Sequence, residues 1–195
     1  MNDAYVVAVN GLEQLGDIEA MAPKIARYAQ QAINTTTRRR RTAMAKEMQK
    51  QIAFPARYLS GSGGRLKIDK YANPRSLEAV ITGRDRPTSL ARFAANRDPK
   101  AARRRGGVSV NVAPGQTKFM NGAFIMQLRG GNLGLAIRLK AGESVRNKKQ
   151  MTRLGKGLYL LYGPSVNQVF AGVAEDGTSD TLAFLEREFL RLMEL

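Results

Sequence analysis

Apolar residues recur every three or four positions near the start of the chain, from residue 23 to about residue 53. This period is typical of one long amphipathic helix. The positions that carry it are Ile25, Tyr28, Ala29, Ala32, Ile33, Thr36, Ala43 and Met44. The same period returns at the end of the chain, where it predicts a helix over residues 179–195 that Thr178 or Ser179 caps.

Between these helices, apolar and polar residues alternate, which is the period of a half-buried β-strand. Two alternating runs, 66–71 and 77–82, flank Asn73-Pro74 and together predict a β-hairpin. Gly130-Gly131-Asn132 predicts a second tight turn. Further strands are predicted at 4–10, 108–112, 123–128, 133–139 and 158–162, and a short helix at 165–173.

Two long stretches, about 83–107 and 140–157, follow neither period and are rich in Lys and Arg. Connections of that length usually carry function, so we interpret both as basic functional loops. A chain of 195 residues is long enough to bury a core. The pattern therefore predicts a single domain over residues 1–195 with two basic loops.

Charge is distributed unevenly along the chain. Residues 24–156 carry 30 Lys and Arg against 6 Asp and Glu, a net +24, whereas residues 1–23 and 157–195 carry 2 against 10, a net −8. Self-repulsion at the overall +16 is costly unless a partner neutralises it. Segregated charge favours a polyanionic partner or an oriented assembly over an enzyme pocket.

Candidate catalytic chemistry is sparse. The chain has no cysteine and no histidine, which excludes Cys-His and Ser-His-Asp arrangements and nearly all zinc sites. We therefore expect no enzyme activity, no metal and no cofactor. A Mg²⁺-dependent nuclease would require the predicted hairpin to bring Asp69 and Glu78 together, and ion pairing with the surplus Lys and Arg is the simpler interpretation. No run of 18 apolar residues predicts a membrane span.

Four consecutive arginines, Arg38 to Arg41, lie within the long predicted helix. One interpretation is a solvated face; the other is that Arg39 and Arg40, close to the apolar stripe, meet a neighbour or phosphate. Phe93 is the only aromatic residue between Gly83 and Gly107, so any DNA contact is expected to involve the phosphate backbone alone. The candidate partner or DNA contacts are Arg38, Arg39, Arg40, Arg41, Arg84, Arg86, Arg103, Arg104, Arg105, Lys148 and Lys149.

Several short motifs follow one another in a recognisable order. Gly11-Leu12-Glu13-Gln14 precedes the long helix, and an arginine-rich helix end, two short strands and a basic loop come next. Gly122-Ala123-Phe124-Ile125 then opens a strand, and the C-terminus is an amphipathic helix. In this order the chain resembles the minor tail protein Z family of tailed bacteriophages, the tail-completion proteins of lambda-like tails.

The resemblance implies an α+β fold like that of tail-completion and terminator proteins. In such a fold a long N-terminal helix and a C-terminal helix pack on a curved antiparallel sheet, and the subunits assemble in a ring. It implies a virion protein, assembled in the host cytoplasm, that completes the head-proximal end of the tail and supports head–tail joining. The implied partners are further copies of the chain, the tail terminator or tail tube, the head–tail connector and the genomic DNA end.

Charge alone supports a second function class, a sequence-nonspecific nucleic-acid-binding protein of the nucleoid or ribosome-associated kind. Such a protein neutralises phosphates, so its affinity falls steeply with salt. A salt titration of duplex binding by the isolated protein separates this class from a purely structural virion protein.

Overall fold

The computed structural model describes residues 4–8, 23–60, 63–140, 143 and 150–194, with only the backbone described for 4–8 and 101–103. These residues form an α+β protein of helices and antiparallel sheets, with the long N-terminal helix and the C-terminal helix that the sequence predicts. The helices are α1 (Pro23–Gln51), α2 (Ala56–Ser60), α3 (Pro99–Arg105), α4 (Val166–Ala174) and α5 (Thr178–Met193), with a 3-10 helix at Leu90–Phe93. The strands are β1 (Ala4–Ala8), β2 (Leu66–Lys70), β3 (Glu78–Gly83), β4 (Pro87–Ser89), β5 (Gly107–Val110), β6 (Lys118–Asn121), β7 (Ala123–Gln127), β8 (Leu133–Arg138), β9 (Met151–Gly155) and β10 (Leu158–Ser165).

The chain folds into two compact units. Unit 1 comprises Met1–Glu47, Arg57–Arg84 and Phe170–Leu195, and unit 2 comprises Met48–Ala56 and Asp85–Val169. Boundaries fall within α1, α2 and α4, so each of these helices contributes residues to both units. The interpretation of the two units as one tail-completion domain stays a prediction.

Unit 1 contains a three-stranded antiparallel sheet in the order β1-β3-β2. The predicted hairpin is confirmed: Ile68 pairs with Ile81, and Asn73 and Ser76 exchange two backbone hydrogen bonds at the turn. The Asn34 side chain on α1 bonds both the amide and the carbonyl of Ala72, which fixes the helix against this turn. The core of the unit is formed by Ala29, Ala32, Ile33, Ala72, Leu77, Ala79, Leu185 and Leu192.

The start of α5 differs from the prediction. Its N-cap is Gly177, whose φ of +77° lies in the left-handed region, and no side chain caps the helix. Thr178 is instead the first helical residue, and its hydroxyl donates to the carbonyl of Glu175. The expected cap by Thr178 or Ser179 is therefore wrong, because the chain enters α5 through a glycine turn one residue earlier.

Unit 2 contains an antiparallel sheet in the order β4-β10-β8-β7, with β9 also paired to β10, and a separate hairpin of β5 and β6. The turn predicted at Gly130-Gly131-Asn132 joins β7 to β8, and the amide of Leu128 donates to the carbonyl of Asn132 at 2.7 Å. Phe54 and Phe93 are buried with their ring centroids 5.6 Å apart, and they anchor the core of this unit.

The two predicted basic loops contain regular structure. The stretch 83–107 includes β4, the 3-10 helix and α3, and the stretch 140–157 includes β9. β9 has almost no buried side chains, so no apolar alternation marks it in the sequence. α3 is a short helix of Pro, Lys, Ala and Arg and has no apolar stripe. The strand β6 is also largely exposed, so the sequence shows no apolar alternation there either.

Candidate functional site

The two units differ sharply in charge. Unit 1 carries 15 Lys and Arg and 13 Asp and Glu, a net +2, because its residue ranges include both acidic ends of the chain as well as the arginine-rich part of α1. Unit 2 carries 17 Lys and Arg and only 3 Asp and Glu, a net +14. Nearly all the excess positive charge therefore belongs to one unit, and its own carboxylates are too few to neutralise it.

The four arginines of α1 do not form a common binding face. Successive residues of an α-helix are about 100° apart, so four in a row span about 300° of its circumference. Arg38 places its guanidinium 5.4 Å from the ring centroid of Tyr71. Arg39 lies over the ring of Phe184 on α5, at 4.4 Å. Both side chains are exposed, and both cover an aromatic ring of their own unit.

Arg40 corrects the sequence-based interpretation most clearly. Its side chain is only 5% exposed, so it is no surface contact for a neighbour or for DNA. It donates to the carbonyl of Val173 at 2.9 Å and to the carbonyl of Asp176, at the C-terminal end of α4 and in the turn that follows. It also pairs with Glu47 at 3.3 Å. Helix ends leave carbonyl groups unsatisfied and carry partial negative charge, so a buried guanidinium is well suited to this position.

Arg41 and Arg84 also bind within unit 1. Arg41 donates to the carbonyl of Leu66 at 3.1 Å and to the carbonyl of Ser60 at 3.0 Å, joining α1 to β2 and α2. Arg84 donates to the hydroxyl of Tyr58 at 3.4 Å. The arginine block therefore links the helices of unit 1 to its sheet, and the remaining candidate contacts from the sequence belong to unit 2.

The basic end of α3 is the best-formed cationic feature of unit 2. Asp98 caps the helix by accepting from the amide of Lys100 at 2.9 Å, and Pro99 occupies the first helical position. Arg104 and Arg105 are exposed in the last turn, where cations are favoured by the helix dipole. Arg103 belongs to the same turn, with only its backbone described.

Arg86 is likewise exposed in unit 2, whereas Lys148 and Lys149 lie outside the described residues. Further exposed cations of the same unit are Lys50, Arg97, Lys100, Lys118, Arg129, Arg138, Lys140, Arg153 and Lys156. Two of the three carboxylates accept from backbone amides, Asp98 at the start of α3 and Glu143 from Lys140 at 2.9 Å. Residues 99–142 contain eight Lys and Arg and no Asp or Glu at all.

The outer face of the β5–β6 hairpin is a feature that sequence reasoning missed. Val108 and Val110 point to the buried side, so Gly107, Ser109 and Phe119 share the opposite face. Phe119 is 50% exposed and lies against Gly107. The sequence signal that could have revealed this face is the pair Gly106-Gly107 at the start of β5. A glycine in a strand often marks the close approach of another group.

The carboxylates of the hairpin in unit 1 have ordinary partners. Glu78 pairs with Lys70 at 3.2 Å, as the ion-pair interpretation predicts, and Asp69 accepts from the hydroxyl of Thr82. Among the described residues, no group of three or more acidic, histidine or cysteine side chains could hold a metal ion.

A groove of about 560 Å³ lies between α1 and α5 in unit 1. Three cations, Arg39, Arg40 and Arg187, line it together with Glu47, Asp180 and Glu186. With equal numbers of each sign the groove favours neither anions nor cations. We therefore assign it to the packing of the two helices rather than to a ligand.

No protein-family model, no curated protein and no solved structure matches this chain. In the part of the chain that the structure describes, no helix combines the length and the apolar character needed to cross a bilayer.

Proposed function

We propose that this chain is a structural protein of a tailed-phage virion. It completes the head-proximal end of the tail and supports head–tail joining. In this role the positive charge of unit 1 is balanced within the protomer, whereas unit 2 faces the DNA end or the acidic surfaces of neighbours in the neck. The order of the sequence motifs supports the assignment to a phage virion. The concentration of positive charge in unit 2 supports the different roles of the two units.

The observation that carries the proposal is the +14 charge of unit 2, with 17 Lys and Arg against 3 Asp and Glu. Charge of this density destabilises a compact state through self-repulsion unless it is neutralised from outside. A virion neck offers a confined polyanion and tightly packed neighbours. An oriented ring is also consistent with one near-neutral and one basic unit, because head-to-tail contacts join two different surfaces of the same chain.

Complementation of a phage from which this chain has been deleted tests the proposal. Negative-stain images of the deletion are expected to show heads and tails that fail to form stable infectious particles, and the wild-type chain is expected to restore them. The double substitution Arg104→Gln with Arg105→Gln should fold normally and restore infectivity poorly. Lys46→Gln with Lys67→Gln removes two exposed cations of unit 1 and serves as the matched control.

Normal infectious particles from the deletion would refute the virion role. Equal rescue by the two double variants would refute the assignment of the contact surface to unit 2.

The second candidate is a nucleic-acid-binding protein that acts outside any virion, and the same charge of unit 2 favours it. Tight duplex binding by a stable monomer, together with normal particles from the deletion, would select this candidate. Absence of the chain from purified particles would do so independently.

A further inference from the structure

We propose that the outer face of the β5–β6 hairpin binds single-stranded nucleic acid, with a base stacked on Phe119 and phosphates held by Arg104 and Arg105. The inference rests on the proposed role of unit 2 as the part that meets a polyanion. It adds a chemical feature which net charge does not supply, a platform for an unpaired base.

The platform is built by the contact between Phe119 and Gly107. A methyl group added to Gly107 would lie 2.6 Å from Cζ of Phe119 and 2.5 Å from the carbonyl oxygen of Met120. Only glycine therefore allows the ring to lie across the strand. One side of the ring covers Gly107, which is buried, while the side chain stays 50% exposed. The ring thus contacts β5 on one side, and the rest of it is open to solvent.

The end of α3 brings cations close to this ring. Arg105 is the last residue of α3, and Gly106, at a φ of +67°, turns the chain directly into Gly107. Two residues span at most about 7 Å, so the end of α3 lies beside the ring. Lys118 is next to Phe119 on β6, but it pairs with Val110 and therefore lies on the other face of the hairpin.

The local charge favours a nucleic acid over an apolar protein surface. Residues 99–142, which include α3 and the whole hairpin, contain eight cations and no carboxylate. An exposed aromatic ring within a basic surface is the arrangement by which proteins hold single strands, because every base has a face that can stack. A duplex keeps its bases stacked internally, so it can use only the cations.

Among the residues whose side chains the structure describes, the other exposed aromatic side chain provides a contrast. Tyr71 in unit 1 is 47% exposed, close to the value for Phe119, but the guanidinium of Arg38 lies over its ring. Leu154 on β9 is an equally exposed apolar side chain of unit 2, and it has no π-face for a base. These two residues therefore serve as controls for exposure alone and for apolar character alone.

The experiment measures binding of the purified full-length protein to oligo(dT) and to a duplex of the same length, at physiological salt. Phe119→Ala is expected to weaken oligo(dT) binding about 5- to 150-fold and to leave duplex binding within about twofold, because only unpaired bases stack. Phe119→Leu keeps an apolar side chain over Gly107 and is expected to lose affinity similarly. Leu154→Ala and Tyr71→Ala should bind both nucleic acids as the wild type does.

Phe119→Trp gives a direct readout, since the chain contains no tryptophan. Its indole fluorescence should be quenched by oligo(dT) and not by the duplex. The log–log salt slope should be unchanged in Phe119→Ala and shallower in Arg104→Gln, because only the second substitution removes a phosphate contact.

Three results would overturn the inference, and they differ in what they say about the proposed function. If Phe119→Ala and wild type bind oligo(dT) with equal affinity, base stacking on Phe119 is ruled out. The charge-based role proposed for unit 2 is then unaffected. A loss of self-association in Phe119→Ala with unchanged oligo(dT) binding would identify the ring as a protein contact. Failure of the wild type to bind either nucleic acid would contradict the DNA role of unit 2 as well.

Discussion

Unit 1 and unit 2 use positive charge in opposite ways. In unit 1, the Lys and Arg residues are matched by nearly as many carboxylates, and the ion pairs Arg40–Glu47, Lys70–Glu78 and Glu188–Arg191 all lie there. In unit 2, cations outnumber carboxylates by 17 to 3, and most of the described cations are exposed. A run of arginines in a sequence is therefore no guide to a binding surface until the positions of the carboxylates in the fold are known.

The largest effect is expected from breaking the internal network of unit 1 at Arg40. Arg40→Leu would leave the carbonyl of Val173 without its donor and Glu47 without its partner. The cost should be about 3 kcal/mol in the free energy of unfolding. Urea denaturation monitored by circular dichroism measures it.

The matched control for Arg40→Leu is Arg86→Leu, which removes an exposed arginine of unit 2. Its effect should stay within about 0.5 kcal/mol. Equal destabilisation by the two variants would contradict the distinction between internally and externally neutralised arginines.

A smaller effect is expected on duplex binding when cations of unit 2 are removed. Arg104→Gln with Arg105→Gln should lower the log–log salt slope by at most about 1.8, since each lost phosphate contact contributes about 0.9. The melting temperature should not fall, because both side chains are exposed. Fluorescence anisotropy at several salt concentrations checks the slope. A slope identical to that of wild type would show that the end of α3 does not meet phosphate.

A still smaller effect is expected at Arg39, whose guanidinium lies over Phe184 at 4.4 Å. Arg39→Gln should cost about 0.5–1 kcal/mol of stability, the usual range for a cation–π contact near the surface. Phe184→Leu in the same background should add little further loss, because the contact is already gone. Fully additive losses in this double-mutant cycle would show that the two side chains are energetically independent.

The smallest effect concerns the pair of half-buried Glu188 and exposed Arg191 on α5. The hydrogen bond from Arg191 lowers the pKa of Glu188 below its ordinary value. A carboxylate with a lowered pKa in the folded state stabilises the fold above its unfolded pKa, and that contribution is lost as pH falls through the folded value. Glu188→Gln should therefore melt slightly below wild type at neutral pH, and the difference should vanish in acid. A difference that persists in acid would mean that packing, not charge, is responsible.

The sequence predicted α1, α4, α5 and most buried strands because their apolar positions repeat at a fixed period. It missed α3, β6 and β9, whose side chains are mainly exposed and leave no such period. It placed Arg40 near the apolar stripe but assigned it to an external partner, because its acceptors at Val173 and Asp176 are more than 130 positions away. The platform at Phe119 was hidden for a similar reason, since strand pairing alone brings it to Gly107.

Lysine labelling tests the central claim most directly. Purified phage particles and the free protein would be acetylated under identical conditions, and the modified lysines quantified by mass spectrometry. The account predicts that Lys100, Lys118, Lys140 and Lys156 of unit 2 are protected in the particle, whereas Lys46 and Lys67 of unit 1 react similarly in both samples. Equal reactivity of the unit 2 lysines in particle and free protein would contradict the claim that this charge is neutralised from outside the chain.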